Sequence, residues 1–333
     1  MGDKTGISWT DATWNPVTGC TKVSDGCKNC YAERMAKRLK AMGVANYKDG
    51  FAVRCHPHML EIPLRWKRPR MIFVNSMSDL FHPDVPDEFI RAVLSIIARC
   101  PQHTFQILTK RPERMAELFN RLVSEGFTGI PLPNVWLGTS VENHAAFMQR
   151  IPHLLQCPAA VRFLSIEPML GPIQLYPFGL RSDSPDSPDS PDSPDSNEWT
   201  NPMLRVFHTE SSTHGVREYP VETGIDWVIC GGESGPNARP MHPDWATSIL
   251  VQCIMAGTPF HFKQWGEWFP REQWEGNPEL VLPDDYDCHC GNDKTWIFDD
   301  DTIAHRVGKK KAGRVLDGHE WDGFPASAPP TDR

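Results

Sequence analysis

Short apolar runs alternate with longer amphipathic stretches through most of the chain. MIFVNSMSD (71–79), FQILTKR (105–111), NVWLGTSVE (134–142), VRFLSIEP (161–168), IDWVICGGES (225–234) and TPFHFKQWG (258–266) each pass from a hydrophobic run to polar residues. Between them, helical spacing predicts helices from Asp87 to Arg99, from about Pro112, from the NVWLGTSVE run through Leu155, and from about Pro243 to Met255. Runs of this length separated by amphipathic helices predict βα units around a parallel sheet. A further strand near Ala12 to Val17 brings the number to about seven. The predicted class is α/β, a full or partial TIM-like (β/α) barrel with parallel strands. No G-x-G-x-x-G follows the first strand, so a Rossmann site has no support.

Polar residues collect where each strand ends: Asn75, Ser76, Ser78 and Asp79; Thr109, Lys110 and Arg111; Ser140 and Glu142; Glu167; Glu233 and Ser234; Lys263 and Gln264. In parallel α/β folds the βα loops converge at that edge and build the active site there.

One segment breaks the pattern. SPDSPDSPDSPD (184–195) is an acidic, proline-rich repeat without apolar residues and cannot bury enough surface to fold. Residues 181–223 are therefore expected to be a disordered surface insertion in a single barrel domain spanning 1–270. Residues 271–333 are expected to be an extension packing on the barrel.

Of 333 residues, 40% are hydrophobic and 23% charged, and the formal net charge is -8. This balance argues against a generally basic nucleic-acid-binding surface. Local basic clusters nonetheless stand at RWKRPR (65–70), TKRPER (109–114) and GKKKAGR (308–314), with Trp66 among them. They point to a nucleic acid or nucleotide as substrate. No run approaches the roughly 18–20 apolar residues that span a bilayer, and MGDKTGISW has no signal-peptide core. A cytoplasmic protein with no membrane contact is expected, in a compartment that keeps thiols reduced.

That compartment bears on the ten cysteines. Cys55, Cys100, Cys157, Cys230 and Cys253 are isolated and are expected in the core. GCTKVSDGCKNCY (19–31) instead gathers Cys20, Cys27 and Cys30 in what becomes the first βα loop. A structural zinc needs four protein ligands, and Cys288, His289 and Cys290 in CDCHCG offer a distant second set. An electron-transfer cluster needs a fourth ligand as well. A third possibility keeps the vacancy: three thiolates hold a [4Fe–4S] cluster, and S-adenosylmethionine (SAM) occupies its open iron. The alternative is a non-catalytic binding protein stabilised by zinc or an iron–sulfur cluster.

The stretches WTDATWNPVTGCTKVSDGCKNCYAERMAKR, PLRWKRPRMIFVNSMSDLFH, HTFQILTKRPERM, NVWLGTSVEN, RFLSIEPMLGPI, DWVICGGESGPNARP, PFHFKQWGEW and GKKKAGRVLDGHEWDGFP resemble a radical-SAM-like family of phages, prophages and bacteria. Its members carry phage gene-product names and have no known function. The resemblance implies an iron–sulfur site on Cys20, Cys27 and Cys30. Radical-SAM chemistry would add SAM and a flavodoxin- or ferredoxin-like electron donor. The usual radical-SAM spacing is C-x3-C-x2-C with an aromatic before the last cysteine. Here the first gap is six residues, and Asn29 precedes Cys30 with Tyr31 after it. Within such a barrel, Asn75, Ser76, Ser78 and Asp79 are the residues available to hold the methionine end of SAM. Asp79 could pair with its ammonium group. Glu142 and Glu167 are candidates for ribose hydroxyls or a substrate amine, or else ion-pair partners of Lys110 or Arg111.

Overall fold

In a computed structural model, residues 5–127, 129–175, 224–276 and 294–326 are described. Seven strands form one sheet: β1 (Ala12–Trp14), β2 (Met71–Val74), β3 (Thr104–Thr109), β4 (Val135–Ser140), β5 (Val161–Ile166), β6 (Trp227–Gly231) and β7 (Phe260–Gln264). They lie side by side in chain order and every pair is parallel. Such stepwise winding is that of a barrel and not of a doubly wound sheet, whose strand order reverses midway. β1 and β7 remain the two edges, so the barrel is open and partial. The helices are α1 (Tyr31–Ala41), α2 (Asp87–Ala98), α3 (Pro112–Ser124), α4 (His144–Leu155) and α5 (Pro243–Met255). The expected strand near Ala12 to Val17 ends at Trp14; Val17 and Thr18 instead pair antiparallel with Arg54 and Cys55. The expected insertion and its repeat, and Cys288, His289 and Cys290, lie outside the described residues.

Period-two alternation sends each strand's residues to two different layers. On the outer face, Ile72, Val74, Ile107, Leu137, Leu164 and Val228 pack against apolar helix residues such as Ile90, Phe119, Ile151 and Ile249. On the inner face, Met71, Trp136, Val161, Phe163, Trp227 and Ile229 form a second cluster with Trp9 from the N-terminal segment and Phe324 from the C-terminal one. Trp227 meets Trp136 edge to face with ring centroids 5.7 Å apart, and its ring lies tilted 4.9 Å from that of Phe324. Full burial of such a side chain contributes on the order of 2–3 kcal/mol, and together they plug the barrel at the N-terminal ends of its strands. Gly138 is required there: a Cβ would sit 2.6 Å from the Phe163 ring. Further along the strands the inward positions become small or polar: Gly138 and Ser140 on β4, Ser165 on β5, Gly231 on β6. The apolar plug thus ends partway up the sheet, and a polar layer begins.

The exposed edge of β7 is covered by the C-terminal segment. Phe262 donates its amide to the Trp321 carbonyl at 2.9 Å, and Gly323 donates to Phe260 at 2.8 Å, which hides groups otherwise open to pairing with another chain. Strands β8 (Trp268–Pro270), β9 (Thr295–Ile297) and β10 (Ile303–Arg306) form a separate antiparallel sheet in the order β8-β10-β9.

Candidate functional site

The loop from Gly19 to Cys30 joins β1 to α1. It leaves the sheet through Gly19, whose φ is +81° and whose absent Cβ would lie 2.2 Å from the Ala52 carbonyl oxygen. Only glycine accommodates both constraints. A single 3-10 turn at Asp25–Cys27 follows, closed by the Cys27 amide on the Ser24 carbonyl at 2.9 Å, and Cys30 sits at the N-cap of α1. All three thiols are partly exposed.

Three contacts stretch this loop across the strand ends. Beside β3, the Arg111 guanidinium donates to the Cys20 sulfur at 3.4 Å and to the Thr21 carbonyl at 3.0 Å. Above β4, Gly26 rests on Glu142, where a Cβ would fall 3.1 Å from a carboxylate oxygen. Beyond β6, Asn29 donates to Glu233 at 3.0 Å, and Arg239 bridges the Glu233 carboxylate and the Asp25 carbonyl. From α1, Arg34 donates to the Ser234 carbonyl at 3.1 Å. The loop is therefore pinned from β3 to β6.

The sulfurs of Cys20, Cys27 and Cys30 do not all lie within 4.8 Å of one another. Among the described residues, the group that meets that distance is His242, Asp244 and Asp300. There His242 Nε2 lies 3.0 Å from Asp300, while Nδ1 accepts the Asp244 amide at 3.1 Å. Both ring nitrogens are used to tie α5 to the turn between β9 and β10.

Burial pushes the Cys20 thiol upward, Asp79 adds to that, and Arg111 pulls it back. Cys100, Cys157, Cys230 and Cys253 are buried, as their isolation predicts, while Cys55 is only partly so. Burial pushes the Cys157 thiol up to about 12, an environment that leaves a thiol inert.

Of the strand-end residues expected to carry the site, Arg111, Glu142, Glu233 and Ser234 contact the cysteine loop or α1, whereas Glu167, Lys263 and Gln264 contact one another, and most of these groups are already engaged. Asn75 is buried with φ 60°, its Oδ1 accepting the Val17 amide at 3.2 Å. Its Nδ2 has no hydrogen-bond partner among the described residues. A left-handed non-glycine residue with an orphaned donor is unusual for a buried position. Ser76 donates to Asn15 at 3.2 Å and Ser78 to the Val17 carbonyl at 2.8 Å, so both brace the turn. The Asp79 oxygens accept from Phe81, Thr109, Lys110 and Arg111, which makes Asp79 an anchor for Arg111. Glu142 pairs with Arg150 at 2.9 Å and Glu167 with Lys263 at 2.7 Å, not with Lys110 or Arg111. Burial raises the Glu142 carboxyl, but Ser24 and Arg150 outweigh it and hold the group below the ordinary glutamate range. Glu233 follows the same logic, with burial outweighed by Arg239 and Asn29.

The basic clusters part company. GKKKAGR reaches the strand ends, because the Gly313 carbonyl accepts the Trp265 amide at 3.1 Å and the Val307 and Gly308 amides both bond the Glu267 carbonyl. Burial lowers the Lys309 ammonium, and nearby Lys263 lowers it further. RWKRPR lies at the opposite edge, where Arg70 immediately precedes β2 and stacks 5.0 Å over Trp66. Trp265 is core, 1% exposed, and cannot stack a base.

Sequence reasoning missed Arg150, Arg239 and Asn29. Arg150 left a readable trace: it shares the Phe147–Ile151–Leu154 stripe on the buried side of α4, a position where an arginine needs a buried partner. Arg239 left none, since its contacts cross from the β6 loop to the cysteine loop.

The fold and site define an open parallel α/β barrel whose C-terminal strand ends are crossed by a three-cysteine loop. A family model described as a protein of unknown function, DUF5131, matches residues 4–325, and the chain belongs to that family. No curated protein and no solved structure matches it.

Proposed function

We propose that this protein is a radical SAM enzyme, with Cys20, Cys27 and Cys30 each binding one iron of a [4Fe–4S] cluster. The observation that carries this reading is the cysteine loop itself: three partly exposed thiols in one βα loop, pinned over a polar layer. A donor set of three soft thiolates suits iron–sulfur chemistry. When bound, a cluster carrying SAM on its open iron supplies one-electron cleavage of the sulfonium to methionine and a 5′-deoxyadenosyl radical, which abstracts hydrogen from the substrate.

The chain's own residues supply binding, orientation and shielding. Asn75 offers its unpartnered Nδ2 to an acceptor on the ligand. Ser76 and Ser78 hold the turn that presents it, and Asp79 fixes Arg111. Glu142 and Glu167 line the mouth as members of ion pairs and remain available to hydroxyl groups through oxygens not fully used. Lys110, Lys263 and Lys309 supply positive charge at the mouth and favour a nucleotide or nucleic acid as substrate. No helix among the described residues is long and apolar enough to cross a membrane. We place the protein in the cytoplasm, where a flavodoxin- or ferredoxin-like donor delivers the electron.

Anaerobic purification with iron and sulfide quantification tests the reading. About four irons and about four sulfides per chain, with an EPR signal of the reduced cluster that SAM perturbs, are expected. A colourless chain binding one zinc would overturn the radical reading and leave the zinc-stabilised alternative.

A further inference from the structure

We propose that Arg111 and Asp79 form a charge pair that sets the reduction potential of a cluster on the cysteine loop, with Arg111 the element in contact with it. This inference rests on the cluster reading above.

Arg111 is the second residue after β3 and stands immediately before Pro112, which opens α3. Its side chain is 12% exposed and that of Asp79 8%. One guanidinium nitrogen, Nη1, serves both the Cys20 sulfur at 3.4 Å and the Asp79 carboxylate at 2.9 Å. The other, Nη2, donates to the Thr21 carbonyl and hydroxyl at 3.0 and 3.1 Å. The Thr21 hydroxyl also meets His82 Nε2 at 2.8 Å. A fork held at three further points, by a buried carboxylate and by the Thr21 carbonyl and hydroxyl, is fixed against the sulfur. Asp79 is fixed in turn by the Thr109 hydroxyl at 2.7 Å and by the Phe81 and Lys110 amides. The result is a positive charge against one cysteine ligand and a negative charge one bond further back. Among the described residues, Cys27 and Cys30 receive no comparable cationic donor.

A hydrogen bond to a ligand sulfur and a nearby positive charge both stabilise the more negative, reduced state of a cluster. Gain of one electron by the cluster is therefore favoured by Arg111 and opposed by Asp79. The two residues act with opposite sign. A purely mechanical role in holding the loop would not give that signature.

The test is a mediated redox titration, followed by EPR, of anaerobically reconstituted full-length protein and the variants Arg111→Gln, Arg111→Lys and Asp79→Asn. Iron and sulfide content and thermal unfolding are measured on the same samples. Arg111→Gln should shift the midpoint to more negative potential, Asp79→Asn to more positive potential, and Arg111→Lys should fall between Arg111→Gln and the parent. Midpoints that do not move, or that move in the same direction in Arg111→Gln and Asp79→Asn, overturn the inference while leaving the cluster intact. Loss of iron from those two variants, with the fold retained, overturns it in favour of a structural strut. A parent protein without iron and sulfide overturns the cluster reading itself.

Discussion

Asn29, the residue before the third cysteine, donates a 3.0 Å hydrogen bond to Glu233, a residue 204 positions further along the chain. The contact closes the cysteine loop onto the end of β6, and Arg239 clamps the same carboxylate in two places. Glu233→Gln leaves Arg239 without its charge partner and weakens the Asn29 tie. Charge-assisted hydrogen bonds contribute about 1.5–3 kcal/mol each, and Arg239 is 28% exposed, so about 1–2 kcal/mol of global stability should be lost. The clearer readout is local. Amide exchange over residues 20–30 should accelerate more than exchange in β4 or β5.

Glu142 and Arg150 pose a harsher case, with side chains 2% and 6% exposed. Removing one partner strands a buried charge, which costs about 3–5 kcal/mol. Glu142→Gln should lower the urea midpoint accordingly. The double replacement Glu142→Met with Arg150→Met should cost less than either single change, since it leaves no unpaired charge.

Acid should act through the same carboxylates. Glu142 and Glu233 are both held below the ordinary glutamate range in the folded protein. A depressed folded value binds fewer protons than the unfolded chain, so the pairs contribute stability above the unfolded value and lose it as pH falls through the folded one. His56, His82, His103 and His305, whose values burial lowers, already cost stability as pH falls through the ordinary histidine range. The share of stability that the two carboxylates contribute should be constant from neutral pH down to the ordinary glutamate range and be lost steeply below it. Glu142→Gln should show a shallower slope in that acid window, measured by denaturant midpoints across pH.

Gly138→Ala tests the boundary between plug and polar layer. The added methyl would meet the Phe163 ring at 2.6 Å, and overpacking of this kind costs about 1–3 kcal/mol. Pairing it with Phe163→Leu should recover part of the loss in thermal unfolding, because the smaller side chain gives the methyl room.

The sheet was legible because its signal is local: VWLGTS and VRFLSI are short segments built around apolar residues, and the helices between the strands carry 3.6-residue periodicity. The barrel's openness was not, because closure depends on how β1 and β7 lie in space. Nothing in IDWVICG announces that Trp321 and Gly323, from the C-terminal segment, will cover the neighbouring β7 edge. At the site, residue types at strand ends were readable, yet their pairings were not. Glu167 had two readings, a ligand contact or an ion pair with Lys110 or Arg111, and its ion pair is instead with Lys263 across two strands, since two strands of a curved sheet can converge at one end. Asp79 was expected to be open to a ligand ammonium, and the structure surrounds it with donors from β3 and its own turn. Asn75 was chosen for its position alone. The left-handed backbone and orphaned nitrogen that single it out are properties of the folded turn.

The central claim meets its most direct test in 5′-deoxyadenosine. Anaerobically reconstituted protein is incubated with SAM and dithionite, and the nucleoside is quantified by mass spectrometry. The parent chain should form it, and variants with Ala at Cys20, Cys27 or Cys30 should form none. Intact SAM in the presence of a fully assembled, reduced cluster would contradict the account.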